Sequence, residues 1–179
     1  ESSFISSLPI TGFHRTTNEF GTRKQIREDN IGLVLQYKAK SIDGGVLLHH
    51  TDFSLPILRN AGLYNQFNFN GENNTNLGAY LNYSWQNFTL FSEAAQTLEH
   101  GRAFTIGALS SLSNQLDISL LYRKFDRDFY SFYSNALSEN TIPQNESGFY
   151  WGSRYTFSKK YSLAGYVDLF KFPWLRYRS

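Results

Sequence analysis

Gly148-Phe149-Tyr150-Trp151-Gly152-Ser153-Arg154-Tyr155-Thr156-Phe157 is followed by Ser158, a Lys159-Lys160 step, and then Tyr161-Ser162-Leu163-Ala164-Gly165-Tyr166-Val167-Asp168-Leu169-Phe170. Successive side chains of a β-strand point to opposite faces, so residues two apart share one. Phe149, Trp151, Ser153, Tyr155 and Phe157 therefore fall together, joined after the turn by Leu163, Gly165, Val167 and Leu169. The other face carries Tyr150, Gly152, Arg154 and Thr156, then Ala164, Tyr166, Asp168 and Phe170. One face is apolar and aromatic, the other polar. Two-residue connections at Lys40-Ser41, Gln86-Asn87 and Asn114-Gln115 are likewise each followed by an alternating strand. Short turns at one end and long polar loops at the other are the layout of an outer-membrane barrel, whose periplasmic turns are short and extracellular loops long.

Composition agrees. Aromatic residues make up 17% of the chain and charged residues only 18%, against roughly 25% charged in an average soluble domain. Trp and Tyr suit a membrane interface because each ring is apolar in body and polar at one end. Mean hydropathy is nevertheless −0.42, and no run approaches the ~18 apolar residues of a membrane helix. A spanning barrel reconciles these facts, since only alternate residues face lipid. The net charge of +2 is too small to argue for a nucleic-acid partner.

Nine strands are expected, over residues 5–15, 31–39, 42–53, 66–85, 88–96, 103–112, 116–125, 148–157 and 161–170, in one barrel domain covering 1–179. Pro56 and the Arg59-Asn60-Ala61-Gly62 stretch mark a loop. Gly71-Glu72-Asn73-Asn74 reads as a bulge or a hairpin tip, and 126–147 is the longest excursion. The odd count, the absence of methionine, the Glu1-Ser2-Ser3-Phe4 start without a secretion signal and the stop after Arg178 in mid-pattern read as a processed or partial chain and an incomplete barrel. Its expected partners are outer-membrane lipid and either other membrane subunits or the rest of its own polypeptide.

Chemistry has to be sought on the polar, lumen-facing side, where Glu93, Asp117, Arg123, Arg154 and Asp168 fall. They read as a hydrated or mutually paired lining, since an unpaired buried charge is expensive. Tyr83, Trp85, Phe149, Trp151, Tyr155 and Phe157 are the expected lipid-interface aromatics. His49 and His50 are adjacent in a strand and point apart, so they do not share a metal, and without cysteine no thiolate site exists. No nucleophile-elbow sequence singles out a serine. Lys124-Phe125-Asp126-Arg127-Asp128-Phe129-Tyr130 reads as a strand end with its aromatic belt rather than a nucleic-acid surface. No catalytic residue, metal or cofactor is expected. The alternatives are a lipid-modifying barrel enzyme, which needs a Ser/His/acid set near one interface, and a soluble ligand-binding barrel.

Tyr64-Asn65-Gln66-Phe67, Asn76-Leu77-Gly78, Leu121-Tyr122-Arg123 with Asp128-Phe129-Tyr130, Gln144-Asn145-Glu146 with Gly148-Phe149-Tyr150, and Phe172-Pro173-Trp174-Leu175-Arg176-Tyr177-Arg178 together give a resemblance. The chain resembles the barrel region of a Bacteroidota outer-membrane family usually labelled helix-hairpin-helix domain proteins. The resemblance implies a barrel in the bacterial outer membrane; the polar lumen positions and the lack of a catalytic motif favour a pore, conduit or scaffold over the enzyme reading. The helix-hairpin-helix module itself is absent, so its association with DNA does not carry over.

Overall fold

The computed structural model describes residues 3–8, 15–21, 23–59 and 62–176. They form eight antiparallel strands in one sheet: β1 (Glu28–Lys38), β2 (Ile42–Ile57), β3 (Gly71–Trp85), β4 (Phe88–Thr97), β5 (Arg102–Ser111), β6 (Leu116–Phe125), β7 (Glu146–Ser158) and β8 (Tyr161–Lys171). Each strand pairs only with its neighbours in the chain, and β1 does not pair with β8. The sheet is an open up-and-down meander. One short helix, α1 (Thr17–Gly21), precedes it, within the segment expected to be loop. No helix among the described residues is long and apolar enough to cross a membrane.

The register fixes the two faces. Leu48 opposes Leu33 and Leu77, Leu81 opposes Ser92, and Trp151 opposes Leu120 and Val167. His49 opposes Gly32 and Asn76, Tyr80 opposes Glu93, and Tyr150 opposes Leu121 and Asp168. The first set is the apolar face and the second the polar one, as the period of two requires. The polar face is the inner one, because the 126–145 connection lies against it. Tyr130 N donates to Thr97 Oγ1 at 3.1 Å, and the Tyr130 carbonyl accepts from Asn74 Nδ2 at 3.0 Å and from Thr97 Oγ1 at 2.9 Å.

Several boundaries differ from expectation. Eight strands are present among the described residues, not nine. Within the expected 5–15 strand only Ile5 makes a bridge, to Ile57, and 9–14 lie outside the described residues. Two of the four tight connections are two-residue turns, Gln86-Asn87 and Lys159-Lys160, whereas the others span 39–41 and 112–115. The opposite rim is not uniformly long: 58–70 and 126–145 are, but 98–101 is a tight turn. Pro56 stands inside β2 rather than in a loop. The ladder to β3 is irregular between Asp52 and Ile57, so its missing N–H interrupts nothing there. Gly71 opens β3 at φ 143°, a conformation that favours glycine.

A small apolar core gathers at this rim. Phe53 and Ile57 of β2 pack with Phe69 and Tyr130, and Phe132, Ile26 and Ile142 close over them. Phe129 and Tyr130 are thus buried, and the expected aromatic belt at 124–130 is instead an inward anchor of the loop. The cause is tertiary: the 98–101 turn is short, and a Cβ at Gly101 would meet Phe129 N at 2.6 Å, so this turn and the loop fit against each other only with glycine.

Candidate functional site: the inner wall

All five predicted inner-face residues fall on the inner face, and four of them pair. Arg123 on β6 is fully buried; its Nε donates to Glu146 Oε1 at 2.6 Å, and Nη1 and Nη2 donate to the two oxygens of Asp168 at 3.0 and 3.1 Å. Glu146 is equally buried, and its second oxygen accepts Glu139 N at 2.9 Å. Sequence reasoning missed Glu146, which stands at the end of its strand in a polar run and looked like loop. Asp117 and Arg154 make a second pair at 2.7 Å, half open to solvent, with Ser111 Oγ donating to Asp117 at 2.7 Å. Glu93 lies apart from both, its carboxylate without a partner among the described residues, beside Tyr80 and Thr105 and facing Asn135 and Ala136 of the loop.

Arg123 reaches Asp168 across the whole width of β7. This is sterically allowed because the inner-face residue between them is Gly148, where a Cβ would lie 2.8 Å from the guanidinium carbon. Gly107 stands in the same relation to Phe91, whose ring tip would be 2.2 Å from a Cβ. Large inner side chains thus lie over glycines of the neighbouring strand.

The loop lines the far side of this wall. Tyr133 packs edge-on against His49 with ring centres 5.3 Å apart, and its hydroxyl bonds to the Glu28 carboxylate and takes a 3.2 Å bond from Asn30 Nδ2. Donation to a carboxylate raises the pKa of this phenol above the usual tyrosine range. His50, on the outer face, is 2.7 Å from Thr75 Oγ1 instead. The two histidines do point apart, and no group of three metal-ligating side chains occurs among the described residues. Asn74 Oδ1, Asn76 Nδ2 and Ser134 Oγ are buried without a partner among the described residues, so the space under the loop is polar.

The outer face is different in kind. Its charged strand residues are Asp29, Asp52, Arg102, Lys124 and Lys171, and all lie at the long-loop rim. From there to the short turns no outer-face strand residue is charged. On β3 the belt is Leu77, Ala79, Leu81, Tyr83 and Trp85. Tyr83, Trp85, Tyr155 and Phe157 border it at the short-turn end. Phe149, with Tyr122 beside it, lies toward the other end, and Trp151 between them; all are solvent-exposed. Comparison with family models, with curated proteins and with solved structures gives no match.

Proposed function

We propose that this chain is part of a bacterial outer-membrane β-barrel that serves as a polar conduit, with the 126–145 loop laid into its lumen. The observation that carries the reading is the charge-free belt on one face of all eight strands, with Asp43, Glu93, Asp117, Arg123, Arg154 and Asp168 on the other at the same levels. A soluble sheet has no reason to keep its solvent face uncharged. Bilayer hydrocarbon demands it, because a charge on the lipid face near the midplane costs ~2–4 kcal/mol. Aromatics toward both borders of the belt match the girdles of such barrels. The kinship proposed with the Bacteroidota family agrees in fold and location. Open edges at β1 and β8 need partners in lipid, which further strands or subunits supply.

The test uses Trp85 and Trp151, the two tryptophans of the belt. Reconstituted into vesicles, the protein should lose much of its tryptophan fluorescence to brominated acyl chains, and planar bilayers should acquire discrete conductance steps. A protein that stays monodisperse without detergent and is not quenched by brominated lipid would sink the membrane reading; quenching without conductance would leave a scaffold in place of a conduit.

A further inference from the structure

We propose that a cleft at the long-loop rim, away from the inner wall, binds an acidic sugar: a carboxylate or phosphate carried on a saccharide ring. Three separate stretches build it: Tyr64 to Asn68, Arg127 with 140–145, and 174–176. Its volume is about 380 Å³, within the ~300–1,000 Å³ of small-ligand sites. The walls are fastened together. Asn145 Nδ2 donates to the Trp174 carbonyl at 3.0 Å while Trp174 N donates to Asn145 Oδ1 at 2.8 Å, and the indole N–H donates to Leu63 O at 2.8 Å. Gln144 Nε2 donates to Phe67 O at 2.9 Å.

Arg127 supplies the charge. Its guanidinium lies 4.3 Å over the Phe67 ring and 5.4 Å from that of Trp174, and the two rings meet edge to face at 5.3 Å. Stacking orients the plane but uses none of the N–H groups, and no carboxylate among the described residues pairs with them. An oriented, uncompensated guanidinium is suited to bidentate capture of a carboxylate or phosphate. Around it, the Asn68 amide, the Thr141 hydroxyl and Gln144 Oε1 have no partner among the described residues either, giving the neutral donors and acceptors that ring hydroxyls require. Inorganic phosphate would engage the cation alone, and a neutral sugar the amides alone.

Calorimetric titration of the detergent-solubilised chain with glucuronate, glucose 6-phosphate, glucose and inorganic phosphate separates these cases. Both sugar acids should bind, with glucose and phosphate at least tenfold weaker, and Arg127→Gln should weaken the sugar acids at least tenfold. Asn68→Ala and Thr141→Ala, which change unpartnered groups, should each weaken them severalfold and keep the proposal testable if Arg127→Gln does not fold. Phosphate binding as tightly as glucose 6-phosphate, or unchanged affinity in all variants, overturns the proposal. Lipopolysaccharide core oligosaccharide that displaces glucose 6-phosphate identifies a membrane glycolipid as the source; core that fails to displace it assigns the site to free sugar acids. Insertion in a membrane is not measured, so this result stands or falls separately from the conduit.

Discussion

The Arg123 guanidinium grips Asp168 two strands away, donating to both carboxylate oxygens at 3.0 and 3.1 Å over the backbone of Gly148. Backbone pairing in the sheet joins only chain neighbours, and this pair, with Glu146, adds a side-chain tie across β6, β7 and β8.

Breaking the group from its centre should be severe. Arg123→Ala leaves Glu146 and Asp168 facing each other without a cation, and loss of one partner of a buried ionic group costs ~3–5 kcal/mol. Urea unfolding in detergent should register that loss, and the triple change Arg123→Met, Glu146→Gln, Asp168→Asn should recover most of it. An Arg123→Ala protein as stable as the parent would mean the group is dispensable.

Gly107→Ala should destabilise the sheet by steric means alone. The Phe91 ring tip lies 2.2 Å from the new Cβ, and overpacking of this kind costs ~1–3 kcal/mol. Pairing it with Phe91→Leu should relieve most of the loss. By contrast Gly165→Ala, on the outer face with nothing within 4 Å, should fold as the parent does, and a thermal melt in detergent distinguishes the two.

Leu81→Arg bears on the outer face directly. If Leu81 meets lipid near the midplane, refolding into vesicles should show a loss of ~2–4 kcal/mol. Unchanged stability there would reject the orientation, whereas Asn82→Arg, one residue along and on the inner face, should be tolerated.

Topology can be read by labelling, since the chain has no cysteine of its own. In intact cells Ser138→Cys should react with an impermeant maleimide and Gln115→Cys should not. Labelling at 115 without labelling at 138 would invert the assignment of rims.

The two faces were legible in the sequence because a period of two needs no tertiary information: Phe149, Trp151 and Tyr155 on one side and Tyr150, Arg154 and Asp168 on the other follow from spacing. The five inner residues were found for the same reason. What spacing cannot encode is which inner residues meet. Arg123 and Asp168 are brought together by the register of two successive ladders, and Glu146 joins them only because β7 begins earlier than the alternation suggested. The loop was misread because Phe129 and Tyr130 sit among charges, as belt residues do, and only their fit against Thr97, Asn74 and Gly101 turns them inward. Gly107 and Gly148, two of the glycines on the inner face, were the available clue.

A meander in which each strand needs only the one before it can gain or lose hairpins by duplication or deletion without rewriting its remaining pairings. The Arg123–Asp168 span withdraws that freedom from the last three strands, because an extra hairpin between β6 and β8 would carry the two charges out of reach. The bond from Tyr133 to Glu28 sets a similar bound on β1 through β6. Any change in strand number within these spans would therefore have to rebuild both contacts.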